Sequence, residues 1–315
     1  MSSLFCNVGR YLPAENYLTN VLVALLTELL ENGNLQQDKD LALEVLNLIA
    51  KKKEQPDFSL DESICIQAQE RADGKQPDIT ISSNLPDGTQ RMVYIEVKDR
   101  DDVRKDQLLR YKGQLDNSDA EIRCLTLLCR PTTQIEPEDE EALKNQKVYW
   151  SEIYDTIKKS KKRAQVSKYL LDSFIQFLEE KNMQLKKITG KCASIKHESL
   201  DDLISLVNML SLAMQRAGFE RVSPIKMESG RETEPEEELW TWVGLYGFYK
   251  GHQFSAGMHV YPNTATELKL ELQKEPDYPY KELKWTELQG LSSANQLRWL
   301  QTSLEGGAKQ LLGIT

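Results

Sequence analysis

The 315-residue chain has only three histidines and five cysteines, and neither residue type is spaced for a metal. The cysteines stand at 6, 65, 124, 129 and 192 with no CxxC. An odd, unpatterned set in a chain of this size reads as reduced cytosolic thiols. His252 and His259 flank an expected turn and read as structural or exposed. No run of eighteen apolar residues occurs, so no membrane span is expected. The stretch MSSLFCNVGRYLPAEN lacks a basic region followed by an apolar block, so it does not read as a secretion signal. Positive charge is also in short supply. Forty Lys and Arg against 49 Asp and Glu give a net charge of −9, which argues against a protein that coats nucleic acid through a broadly basic surface. A local basic groove on an acidic body stays open.

What remains is ordinary for a globular protein, with 40% hydrophobic and 28% charged residues. The length allows two domains. Leu18, Val21, Leu22, Leu25, Leu26 and Leu29 recur at helical spacing, and Gly33 supplies a stop. DLALEVLNLIAKKK predicts a second helix. Two alternating segments around DGKQ, then RMVYIEVKD, predict three strands. DQLLRYKGQL predicts a helix, RCLTLLCRP a buried strand, PEDEEALKN a short acidic helix, and KVYWSEIYDTI a strand leading into a helix. SKYLLDSFIQFLEEKNM closes this half as an amphipathic helix. The order α, α, β, β, β, α, β, α, β, α predicts a mixed sheet covered by helices.

Composition shifts near KKITGKCASIKHE, so the expected domains are residues 1–185 and 199–315, joined by a linker over 186–198. The second half reads as α+β. DDLISLVNMLSLAMQRAGF is helical, LWTWVGLYGFYKG, QFSAGMHVYP and TELKLELQK form a sheet, and ANQLRWLQTSLEGGAKQLLG is a terminal helix. Trp240, Trp242, Tyr246 and Phe248 share one strand face. They read as an aromatic core beneath the helices ahead of a base-stacking platform. The acidic residues from Glu228 to Glu238 read as a solvated loop, with nucleic-acid mimicry as the rival.

The chemistry concentrates in PDITISSNLPDGTQRMVYIEVKDRDD. Alternation puts Val93, Ile95 and Val97 on one strand face, with Glu96 and Lys98 on the other. Ile79 and Ile81 share a face, and Asp78, Thr80 and Ser82 point the opposite way. If Asp78 opposes Glu96 in an antiparallel hairpin, the turn is centred at position 87, inside Pro-Asp-Gly. Opposed Cβ atoms lie roughly 4.5–5.5 Å apart. Both carboxylates could then hold one cation.

Pro77-Asp78 with Glu96-Val97-Lys98 resembles the PD-(D/E)xK nuclease superfamily. QLLRY, with Gln107 and Tyr111 four apart, is similar to the QxxxY motif of its RecB-like and lambda-exonuclease-like branch. The resemblance covers roughly residues 10–180. It implies a restriction-endonuclease-like αβββαβ core and a metal-dependent deoxyribonuclease, with DNA ahead of RNA as the partner. It also implies Mg²⁺ or Mn²⁺ held by Asp78, Glu96 and the Val97 carbonyl, ions that prefer oxygen ligands. Lys98 is expected to orient the nucleophile, and Gln107 and Tyr111 to lie beside the active site. Glu15 resembles the extra acidic ligand of many members, although a capping glutamate reads equally well there. Similar stand-alone bacterial nucleases often serve in defence against phage or foreign DNA. Endonuclease and exonuclease action both stay open, as does a homodimer. The alternative is a catalytically silent module of the same fold that binds nucleic acid or protein. KKSKKR at 158–163, with Arg100, Arg104, Lys105, Arg110 and Lys112, lines either a phosphate-tracking groove or a solvated helix end.

Overall fold

A computed structural model describes residues 14–31, 36–50, 55–68, 76–99, 102–143, 146–160, 166–189, 200–223, 226–231, 239–260, 269–275, 280–288 and 290–314. The chain divides into two compact units, Met1–Gln184 and Leu185–Thr315. Cys6, Arg100, residues 161–163, Cys192 and residues 232–238 lie outside the described residues.

In the first unit, helices α1 (Ala14–Glu31) and α2 (Gln36–Ile49) precede strands β1 (Ser63–Ala68), β2 (Ile79–Asn84) and β3 (Gln90–Val97). Then follow α3 (Gln107–Asp116), β4 (Ile122–Cys129), α4 (Pro137–Leu143), β5 (Lys147–Tyr149), α5 (Trp150–Ser160) and α6 (Val166–Glu180). The sheet order is β1-β2-β3-β4-β5. β1, β2 and β3 run antiparallel, whereas β3, β4 and β5 run parallel. The fold is therefore α/β around a mixed sheet.

The leucine stripe of α1 is buried from Leu18 to Leu29, each side chain stabilising the unit by about 1.5–3 kcal/mol. It joins Ile79, Ile81, Val93, Ile95 and Val97 in one core with α2, α5 and α6. Alternation then sends Glu96 to the opposite face, where α3 and α4 lie against β3 and β4. The β2–β3 ladder pairs Ile79 with Ile95 and Asn84 with Gln90. Its midpoint is Asp87, as the turn signal requires. Gly88 adopts φ +90° and donates to the Leu85 carbonyl at 2.9 Å, while Asp87 accepts from the Thr89 amide. Only glycine takes that conformation without strain.

The second unit begins with a docked segment. Ile188 is buried, and its amide and carbonyl both bond to the Gln296 side chain, at 2.8 and 2.9 Å. Helix α7 (Leu200–Arg216) and a long C-terminal helix, α9 (Ser293–Leu311), flank five strands. These are β6 (Lys226–Arg231), β7 (Leu239–Tyr249), β8 (His252–Val260), β9 (Lys269–Lys274) and β10 (Tyr280–Leu283), with the short helix α8 (Trp285–Leu288) before α9. The sheet is fully antiparallel in the order β10-β9-β8-β7-β6.

Three expectations for this unit need correction. The acidic tract is not a loop at its start, because Glu228–Arg231 pairs with β7 as part of β6. His252 and His259 occupy the two ends of one strand, β8, rather than flanking a turn. The helix-facing side of β7 carries Val243, Leu245 and Tyr249, not the aromatic set. A Cβ on Gly247 would lie 2.9 Å from Met214 of α7, which marks the odd-numbered face as the packed one. Trp242, Tyr246 and Phe248 therefore lie on the opposite face, and the side chain of Trp240 is outside the described residues.

Candidate functional site

The site forms where β3 ends. The β2–β3 ladder starts at Ile79↔Ile95, so Asp78 falls one step beyond it, level with Glu96. Successive amides along a strand point to opposite sides. That of Lys98 donates to Leu128 of β4 at 2.8 Å. That of Val97 points towards β2, where the strand has ended and Asp78 Oδ2 accepts it at 2.8 Å. The aspartate side chain thus takes over from the backbone at the last rung.

Glu96 is 2% and Lys98 5% exposed, and their side chains meet at 2.9 Å through Glu96 Oε1. The same oxygen accepts from Gln107 Nε2 at 2.7 Å. Tyr111, fully buried, lies 3.1 Å from that amide nitrogen through its hydroxyl and donates to the Gln76 carbonyl at 2.8 Å. Helix α3 therefore holds both acidic arms. Gln107 grips Glu96, and Tyr111 fixes the chain two residues before Asp78.

Burial pushes the half-buried Asp78 carboxyl above the ordinary range. The Val97 amide, the Lys98 ammonium and the Glu96 carboxyl act against that rise. Burial likewise raises the Tyr111 phenol, as does the charge of Glu96, while Gln107 and Arg110 lower it. Both shifts have burial as their largest cause, and both groups lie within range of Glu96.

The surrounding supports are equally definite. The Trp150 indole donates to the Lys98 carbonyl at 3.2 Å. Arg130 binds Asp99 Oδ1 through Nε at 2.8 Å and Nη2 at 2.6 Å, and also reaches the carbonyls of Lys181 and Asn182. Asp139 of α4, fully buried, accepts at Oδ1 from the Leu108 and Leu109 amides at 2.7 and 3.0 Å. It caps α3 from another helix. The residue at the local cap position, Asp106, has φ +59° and makes no side-chain cap bond. Sequence reasoning missed Asp139, Trp150 and Arg130, since each acts across thirty residues or more. The one available signal was an aspartate inside an otherwise solvated acidic helix.

Of the residues singled out in the sequence, Asp78, Glu96, Val97, Lys98, Gln107 and Tyr111 come together. Val97 enters through its amide. Glu15 opens α1, and its side chain lies outside the described residues. Lys112 pairs with Asp116 four residues on, and Lys158 pairs with Tyr154 and Glu179. Arg104, Lys105 and Arg110 are exposed.

Among the described residues no group of three or more His, Cys, Asp or Glu side chains could hold a metal ion. Two carboxylates do converge, and an all-oxygen pair is the donor chemistry Mg²⁺ and Mn²⁺ accept. Among the described residues no helix is long and apolar enough to cross a membrane. No family model, curated protein or solved structure matches this chain.

Proposed function

We propose that the first unit is a metal-dependent nuclease of the PD-(D/E)xK kind, with a restriction-endonuclease-like core, acting on DNA ahead of RNA. The observation that carries this reading is the double grip of α3. One turn of helix bonds to Glu96 on β3 and to the chain leading into Asp78. A surface ion-pair face has no need of such a device.

Asp78 and Glu96 would hold Mg²⁺ or Mn²⁺, and the ion would acidify a bound water and offset charge on the phosphate. Glu96 is presented in one orientation, because Lys98 and Gln107 meet on a single oxygen. Lys98 projects its ammonium beside that carboxylate, where it can donate to an attacking water or to a phosphate oxygen as negative charge develops. Its backbone is pinned by Leu128 and Trp150, so its placement needs no reorganisation during reaction. Water adds at phosphorus, one P–O ester bond breaks, and the leaving oxygen takes a proton. The second unit would serve recognition, regulation or assembly, and defence against phage or foreign DNA is the role the resemblance implies.

The burial of Glu96 and Lys98 favours one rival, a silent module that binds nucleic acid without cutting it. Linear, circular and single-stranded DNA, and RNA, should be incubated with the full chain in Mg²⁺, in Mn²⁺ and in chelator. Cutting that needs metal, and that Asp78→Ala and Lys98→Ala abolish while the variants stay folded, supports the nuclease. Unchanged cleavage by Lys98→Ala rejects the site, and binding without cutting in either metal favours the silent module.

A further inference from the structure

The buried cluster has an exposed cation attached to it. Arg110 lies on α3, three residues from Gln107 and next to Tyr111. Its guanidinium carbon sits 5.3 Å from the centre of the Tyr111 ring, within cation–π range. It also acts on the Tyr111 hydroxyl, lowering the phenol pKa against the effect of burial. That hydroxyl touches Gln107, and Gln107 touches Glu96. From Glu96 outward, these contacts run through two neutral side chains and reach the exposed Arg110.

The N-terminal amides of α3, an ordinary place for a phosphate, are taken by the Asp139 carboxylate, whose charge disfavours a second anion there. Arg104 and Lys105 are exposed on the turn that leads into α3 and add positive potential. A guanidinium also presents a planar fork suited to two phosphate oxygens.

We propose that Arg110 binds a backbone phosphate of the DNA strand at the mouth of the site, next to the phosphate that is cut. This rests on the nuclease reading and adds a residue that neither motif contains. Stacking on Tyr111 orders the guanidinium before DNA arrives, so its contact also reports that Tyr111 and Gln107 are in place.

The test uses the full chain carrying Asp78→Asn, so that DNA stays whole, and compares it with the same chain carrying Arg110→Ala or Arg110→Lys as well. Binding of fluorescent single-stranded and duplex oligonucleotides is followed by anisotropy over a range of salt. Loss of one phosphate contact should flatten the slope of log K against log salt by about 0.7 for single strands or 0.9 for duplex. Affinity should fall roughly tenfold in Arg110→Ala and recover in part in Arg110→Lys. With Asp78 intact, Arg110→Ala should raise KM and leave the Mn²⁺-induced rise in melting temperature unchanged. An unaltered salt slope overturns the proposal while leaving cleavage, and so the nuclease reading, intact. Loss of the Mn²⁺ response in Arg110→Ala also overturns it, because Arg110 would then be supporting the carboxylates. If the parent chain binds no DNA at all, the underlying reading fails and this one with it.

Discussion

Asp139 offers the sharpest test of how the site is held. Asp139→Ala removes the acceptor for two amides at the start of α3, in bonds of 2.7 and 3.0 Å, at a place where Asp139 and Leu108 are both fully buried. A hydrogen bond to a charged group contributes about 1.5–3 kcal/mol, and a helix cap about 0.5–2 kcal/mol. The two bonds share one oxygen and amount to a single strong cap, so the loss should be about 3 kcal/mol. For a unit of 150–250 residues each kcal/mol lowers the melting temperature by roughly 2–4 °C, giving a fall of about 6–12 °C. Asp139→Asn keeps an oxygen acceptor and loses the charge facing the helix dipole, about 0.3–1 kcal/mol, for a fall of a few degrees. Calorimetry of the full chain reads the first quantity. Hydrogen exchange at Leu108 and Leu109 reads the local one and should quicken strongly in Asp139→Ala but little in Asp139→Asn. A melting temperature within about 2 °C of the parent, with unchanged exchange, would refute the idea that this carboxylate anchors the helix.

Other consequences follow from the same contacts. Because burial raises the Asp78 pKa, the folded chain binds more protons than the unfolded one above about pH 4, and this group's contribution falls as pH rises through the window. Asp78→Asn in chelator should therefore gain stability relative to the parent from pH 4 upward, and melting curves showing no such divergence would contradict the assigned cause. Gln107→Ala leaves Glu96 Oε1 without its 2.7 Å amide partner and should cost about 1.5–3 kcal/mol by denaturant titration. The Cys129 thiol is buried and pushed up to about 12, so at pH 8 iodoacetamide should spare it and modify the exposed Cys65, as peptide mass mapping would reveal. In the second unit, a Cβ at Gly257 would lie 2.6 Å from the Val243 carbonyl and 2.7 Å from the Trp242 indole. Gly257→Ala should lose about 1–3 kcal/mol with a shift in tryptophan emission, and an unshifted spectrum at full stability counts against the tight stacking.

Local chemistry made the hairpin legible. Pro-Asp-Gly placed the turn, alternation assigned the faces, and together they set Asp78 level with Glu96. QLLRY placed Gln107 and Tyr111 on one side of a helix, but nothing in that pentapeptide tells what they bind. The Gln76 carbonyl is thirty-five residues from Tyr111, and such pairings appear only once the chain has folded. The cap from Asp139 was hidden for the same reason, because a glutamate- and aspartate-rich heptapeptide reads as solvated. The second sheet failed differently. Both faces of β7 are apolar, with Val243, Leu245 and Tyr249 against Trp242, Tyr246 and Phe248, so periodicity separated the sides without ranking them. The deciding residues were glycines. Gly244 and Gly257 stand opposite each other, and the Trp242 ring lies against both, while Gly247 admits Met214 on the other face.

The Arg130 clamp has a mechanical implication. Its guanidinium joins Asp99, the residue after Lys98, to the carbonyls of Lys181 and Asn182, two residues short of where the first unit ends at Gln184. A pull on the polypeptide at that exit is thus conducted through the Arg130 side chain to the residue that follows Lys98.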